Sequence, residues 1–217
     1  MNIALVGYRA WALEIYNNLI NSYDSNYHLV ESKDEFCESK LRDFNPDFVL
    51  FYGWSWIIPE SIINEFKCIM LHPSPLPKYR GGSPIQNQII NGEKNGAVTL
   101  FLMDSGIDTG PIINQKSISL EGSLNKIFDQ ITEVGTELTL EFLNKGYKLK
   151  EQDHSMATSY KRRSPEESEI TINEINNKDS LYLYNKIRML KDPYPNAFIR
   201  TIDGKKLYIL NAKIEDW

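Results

Sequence analysis

The residues of this chain best suited to chemistry are a histidine and an aspartate 36 positions after it. His72 closes the apolar run KCIMLH (67–72), and the stretch that follows carries Pro73, Pro75 and Pro77. An imidazole takes or gives a proton near neutral pH, and a carboxylate beside it can orient the ring and raise its basicity. Asp108 lies in MDSGIDTG (103–110), with Asp104, Gly106 and Gly110. Each piece alone has a plain structural reading, because a histidine often ends a strand and Asp and Gly make turns. The prolines favour the chemical one. Proline fixes its own φ and confines the residue before it, so His72, Ser74 and Leu76 are expected to be extended in a stiff loop. Such a loop suits a site that must hold its geometry closely. Met70, two residues before His72, projects to the same face of a strand.

The elements that must position these groups follow from hydrophobic patterning. NIALVGY (2–8), YHLVES, PDFVLFYGW (46–54), KCIMLH (67–72) and AVTLFLM (97–103) read as strands, several of them apolar throughout and so buried on both faces. Helices are expected over 10–20, after Pro59 in its first turn, and over 83–92 between a Ser83 cap and Gly92. The strongest helical periodicity runs from Ser123 to Gly146, with Leu124, Ile127, Phe128, Ile131, Val134, Leu138 and Phe142 on one face. Alternating strands and helices imply βαβ units and a mostly parallel sheet. Ligands bind such sheets at the carboxyl ends of the strands, so the loops after Gly7, Gly53, His72 and Met103 are expected to share one crevice.

After about Gln152 the pattern becomes polar, as in a surface-crossing linker. A helix follows from Ser180 to Leu190, then two strands joined at Asp203-Gly204. The composition, 41% hydrophobic and 24% charged, is that of an ordinary globular chain. A net charge of −5 argues against a nucleic-acid or anionic-membrane partner. Cys37 and Cys68 have no metal or redox spacing. No apolar run reaches the roughly 18 residues needed to span a bilayer, and the first residues lack the features of a signal peptide, so a cytoplasmic location is expected.

LHPSPLPKYRG, with GIDTGPI downstream, resembles the folate-dependent formyltransferases, which move a formyl group from N10-formyltetrahydrofolate to an amine. The family pattern is Asn-x-His-x-Ser-Leu-Leu-Pro-x-x-x-Gly followed by an Asp-Thr-Gly run. The resemblance implies an α/β fold: a Rossmann-like doubly wound, mostly parallel sheet in residues 1–152, with a small helix-plus-hairpin subdomain in 153–217. It makes His72 and Asp108 the catalytic pair. YGWSWIIPESII looks like the folate-pocket strand and loop, so Gly53, Trp54, Trp56 and Ile57 are expected on the folate, with Met103, Gly106 and Ile107 from the second loop. Arg9, Ser74, Lys78, Tyr79, Arg80 and Gly81 are expected on the acceptor, the cations at its phosphates. The family asparagine is replaced by Met70, whose thioether cannot donate a hydrogen bond to an oxyanion.

The tail segments YKRRSPEESEI and KIRMLKDPYPNAFI resemble those of the transfer-RNA and sugar members of the family, and a tail this short on an acidic chain is most similar to the sugar N-formyltransferases. The expected acceptor is therefore a nucleotide-linked deoxy amino sugar, on UDP or dTDP, for surface glycans. No metal, nucleic acid or membrane is expected, and a homodimer is. The alternatives are glycinamide ribonucleotide as acceptor, or a binding homologue impaired by Met70.

Overall fold

The structure, a computed structural model, describes residues 1–215, so positions 216 and 217 of the expected subdomain lie outside the described residues. The chain runs β1 (Asn2–Val6), α1 (Ala10–Ser22), β2 (Asn26–Val30), α2 (Glu38–Phe44), β3 (Phe48–Tyr52), α3 (Glu60–Glu65), β4 (Cys68–His72), the short β5 (Arg80–Gly81), α4 (Pro84–Ile90), β6 (Asn95–Leu102), β7 (Ile112–Ser119) and α5 (Leu124–Lys145). Then follow β8 (Ser159–Tyr160), α6 (Ile172–Asn177), α7 (Ser180–Met189) and the hairpin of β9 (Phe198–Arg200) and β10 (Lys206–Tyr208).

Six strands form one sheet in the order β2-β1-β3-β4-β6-β7. The first four are parallel, as expected of a doubly wound fold. β6 runs antiparallel to β4, with His72 opposite Thr99 and Ile69 opposite Leu102, and β7 is antiparallel to β6 in turn. The reason is the connection after β4. α4 has seven residues, a rise of about 10 Å, too short to carry the chain back along the sheet, so it re-enters where it left.

Strand alternation divides the core between the two faces of the sheet. Ile3, Leu5, Leu50, Tyr52, Ile69 and Leu71 face α1 and the apolar stripe of α5. Ala4, Val6, Val49, Phe51 and Cys68 face the other way, against Leu41 of α2 and Ile62 of α3. Met70 packs on this second face, which is also the face of His72.

Three local expectations change. Pro59 is the N-cap of α3 and not part of its first turn. Ser83 stands at the N-terminus of α4 in a left-handed conformation, and its hydroxyl accepts from the Arg163 N–H and does not cap the helix. The stretch read as a polar linker contains β8 and α6, the latter held by a Thr171–Glu174 capping box.

The C-terminal elements gather a small cluster of Ile170, Ile187, Leu190 and Ala197. They are fastened to the sheet domain by Arg188, whose Nη1 donates to the carbonyls of Leu120 and Gly122, both at 2.9 Å, while Met189 enters the main core. Among the described residues no helix is long and apolar enough to cross a membrane.

Candidate active site

A cleft of about 840 Å³ opens over the second face of the sheet, beside His72. Its floor is Phe51, Met70 and Phe101, which lie in register across β3, β4 and β6. One wall is the loop after β3, where Trp54 and Trp56 pack at 4.7 Å between centroids and Tyr8 lies 4.9 Å from Trp56. The other wall is the loop after β6. Because β6 is antiparallel, this loop starts at the far end of β4, where the Met103 N–H donates to the Cys68 carbonyl. It then runs back past Met70 and delivers Asp108 to His72.

His72 and Asp108 are 5% and 9% exposed, so their interaction is only weakly screened. Nδ1 of His72 is 3.5 Å from Oδ2 of Asp108. Nε2 is 2.8 Å from the Tyr79 carbonyl oxygen. A carbonyl only accepts, so Nε2 carries a hydrogen and the tautomer is set by Tyr79. The sequence reading gave that task to Asp108. Here the Asp108 carboxylate faces the remaining nitrogen at ion-pair rather than hydrogen-bond distance. The Gly81 N–H donates to Oδ2 at 2.7 Å. Gly81 has φ +87°, and a Cβ there would stand 2.4 Å from the Tyr160 carbonyl oxygen, so both conformation and space require glycine.

The proline loop is stiff: His72 is extended at the end of β4, as expected, and beyond it the chain folds through tight turns at two of the prolines. The Ser74 N–H donates to the His72 carbonyl and the Leu76 N–H to the Ser74 carbonyl, giving three-residue turns centred on Pro73 and Pro75. The carbonyls of Pro73, Ser74 and Leu76 accept from Gln88, Thr99 and Gln115. Tyr79, Ser83 and Asp108 all have positive φ, at 59°, 53° and 54°. Such strain costs about 1–3 kcal/mol per residue, and it persists only where surrounding contacts over-determine it, as they do here.

All the residues expected on the folate, Gly53, Trp54, Trp56, Ile57, Met103, Gly106 and Ile107, line the cleft, and so do Met70, Arg9 and Gly81. Four residues expected on the acceptor do not. Ser74 is fully buried and its hydroxyl donates to the Lys78 carbonyl. Lys78 is exposed in a separate depression with Pro75, Pro77 and Met156. Tyr79 is buried against Tyr160 at 5.1 Å and donates to Glu93. Burial pushes its phenol up to about 12, with Asn91 pulling down and Glu93 adding to the rise, so it stays a neutral donor. Arg80 is buried and spends its guanidinium on Gln152. The turns after His72 send these side chains away from the cleft.

Other residues that the sequence left aside do reach it. Lys161, Arg162, Arg163 and Tyr194 line the cleft. They arrive because β8 pairs with β5, so that the backbone of Arg162 crosses against Gly82. Arg9 lies with its guanidinium 4.9 Å from the Tyr8 ring and 5.6 Å from the Tyr194 ring, a cation–π arrangement that fixes the charge at the cleft. Burial pushes the Tyr194 phenol up, against the pull of the Arg9 charge. The Cys68 thiol, on the same face as Met70, is pushed by burial up to about 12, and is no nucleophile near neutral pH.

Comparison with known proteins places this geometry. Residues 11–143 match the formyl transferase family model. A methionyl-tRNA formyltransferase of Campylobacter curvus is 34% identical over 182 residues, 82% of this chain and 58% of that relative. The chain thus spans less than two thirds of the length of such relatives. The structure of a methionyl-tRNA formyltransferase from Clostridium thermocellum, 32% identical, superposes with a TM-score of 0.85 over 96% of this chain and 97% of that one. A 4-N formyltransferase from Francisella tularensis covers 100% of this chain with a TM-score of 0.75 but is 18% identical, a likeness of fold alone.

These findings overturn the expectation of a nucleotide-linked amino sugar as acceptor, and of no nucleic-acid partner. The tail motifs occur on a chain whose sequence relatives are methionyl-tRNA formyltransferases. Net charge misled because it averages the whole surface, whereas Arg9 and residues 161–163 concentrate positive charge at one cleft.

Proposed function

The chain belongs to the formyl transferase family, and from that premise we propose that it moves the formyl group of N10-formyltetrahydrofolate onto the amine of methionyl-tRNA. The observation that carries the reading is the 32% identity and near-complete superposition with the methionyl-tRNA formyltransferase of Clostridium thermocellum. The cleft supports it on both sides of the reaction. The Trp54–Trp56 wall and the Met70, Met103 and Ile107 surface suit a flat, mostly apolar heterocycle. Arg9, Lys161, Arg162 and Arg163 suit the phosphates of a nucleic-acid acceptor.

In this reading the amine lone pair forms a bond to the formyl carbon, and a tetrahedral oxyanion collapses with cleavage of the carbon–N10 bond. The amine loses one proton and N10 gains one. The His72–Asp108 pair handles that proton. Nε2 is committed to the Tyr79 carbonyl, so the proton exchanges on the Nδ1 and carboxylate side, where Oδ2 is held by Gly81. Positioned acid–base groups contribute about 10²–10⁴-fold. Met70 gives the oxyanion no donor, so its charge is met by the field of the protonated pair. A boundary after residue 152, with the C-terminal part carrying basic residues to the cleft, and a cytoplasmic location belong to the same proposal.

The test is an end-point assay of formyl-methionyl-tRNA with purified protein. Product is expected only when N10-formyltetrahydrofolate and methionyl-tRNA are both present. Folate binding without transfer, under conditions in which a methionyl-tRNA formyltransferase turns over, would overturn the reading.

A further inference from the structure

The side chains of the reactive pair are held by the backbone on either side of Arg80. Tyr79 holds His72 through its carbonyl, Gly81 holds the Asp108 carboxylate through its N–H, and Arg80 between them reaches Gln152. Gln152 is 4% exposed. Its Oε1 accepts from Nε and Nη2 of Arg80 at 3.1 and 2.6 Å. Its Nε2 donates to the carbonyls of Asp108 at 3.0 Å and Gly110 at 2.7 Å. The reverse amide orientation would set an oxygen against two carbonyls and an NH2 against a guanidinium, so the network fixes the assignment. The chain just before Gln152 is itself anchored, since Lys150 and Ile112 exchange both backbone hydrogen bonds.

A need to pair Arg80 would explain Oε1. It does not explain why Nε2 spans the two carbonyls around the strained backbone at Asp108, where φ is +54°. We propose that Gln152 is a positioning residue for the reaction: it clamps the 108–110 backbone to the 79–81 segment and so sets the Nδ1–Oδ2 approach of His72 and Asp108. The inference rests on His72 and Asp108 being the reactive pair, and it is independent of which acceptor is formylated.

Gln152→Glu separates the two roles. Glutamate still accepts from Arg80 but cannot donate to the Asp108 and Gly110 carbonyls. The expected result is a loss of kcat of roughly 10²-fold, as a small misplacement of reacting groups produces, with KM for N10-formyltetrahydrofolate and thermal stability held. Turnover equal to that of the parent would overturn the proposal, and so would a loss no larger than the loss of folded protein. The ring-nitrogen NMR signals of His72 give a second readout that needs no acceptor. They should move in Gln152→Glu even if methionyl-tRNA is not the substrate, and unmoved signals overturn the proposal even if it is. Should Gln152→Glu not fold, Arg80→Lys, which loses the two-pronged grip on Oε1, is expected to shift the same signals, and unshifted signals count against the clamp.

Discussion

The Tyr79 carbonyl oxygen stands 2.8 Å from Nε2 of His72, while Oδ2 of Asp108 stands 3.5 Å from Nδ1. The first contact commits one nitrogen as a donor. The second leaves Nδ1, on the opposite side of the ring, facing the carboxylate. If the pair works as a unit in the proposed transfer, losses from its members should not add. His72→Asn and Asp108→Asn are each expected to lower transfer by about 10²–10⁴-fold with folate affinity kept. The double variant should be little worse than the weaker single one. Single-turnover rates and a folate titration check this, and additive losses would argue that the two residues act separately.

Met70 occupies the position of a family hydrogen-bond donor. Removing one oxyanion donor elsewhere costs about 10²–10³ in kcat. Met70→Asn is expected to return part of that, about tenfold or 1.4 kcal/mol, because nothing around it was selected to orient an amide. The measured quantity is kcat at saturating folate and acceptor. A fall in kcat would show that the apolar side chain itself is needed against the floor of Phe51 and Phe101.

Gly81→Ala should cost about 1–2 kcal/mol for the left-handed backbone alone, plus the displacement demanded by the Tyr160 carbonyl. Since the Gly81 N–H holds Asp108, activity should fall further than stability. Denaturant unfolding beside the transfer rate tests this, and equal fractional losses would contradict it.

Arg162 lies at the cleft mouth without holding the fold together through any ion pair among the described residues. Arg162→Ala is expected to weaken methionyl-tRNA binding and to reduce the slope of log affinity against log salt by about 1. Folate binding should not change. An unaltered slope would remove this residue from the acceptor surface.

Lys186 is buried and donates to both Glu174 oxygens, at 2.7 and 2.9 Å. Burial works to raise the Glu174 carboxyl, but Lys186, the Thr171 N–H and the Tyr182 hydroxyl outweigh it and hold it below the usual range. A carboxyl depressed in the folded state contributes stability in full above its unfolded value, about 4.3 for glutamate. That contribution is lost as the pH falls through the lower folded value. Glu174→Ala is expected to cost about 3–5 kcal/mol near neutral pH, by stranding Lys186. The gap from the parent should narrow as the medium is acidified below pH 4 or so. Melting temperatures across pH decide it.

The chemistry of the site was legible where it is local. His72 ends a strand, and Asp108 and the residues expected on the folate sit at strand ends or on the loops after strands, so a run of apolar residues and its ending point to them. What failed was direction and distance. Ser74, Lys78, Tyr79 and Arg80 follow His72 closely, but the turns at Pro73 and Pro75 carry them out of the cleft. Arg162 reaches the site through the β5–β8 pairing, and Gln152 through the Lys150–Ile112 bridge beside it, contacts between distant segments that no local pattern reveals. β7 was missed because IINQKSIS neither alternates nor stays apolar, its middle residues facing solvent. The acceptor was misread from tail motifs and an averaged charge, where the relevant charge is local.

The pairing of β5 with β8 also sets an order of assembly. The Tyr79 N–H donates to the hydroxyl of Thr158, 79 positions further along the chain. A chain leaves the ribosome N-terminus first, and contacts of long sequence separation close last. By the time β7 has emerged, the whole six-stranded sheet is available to fold. The segment that grips His72 and Asp108 still has nothing to grip. The support for His72 and Asp108 therefore depends on residues 152–160, which come after every strand of the main sheet.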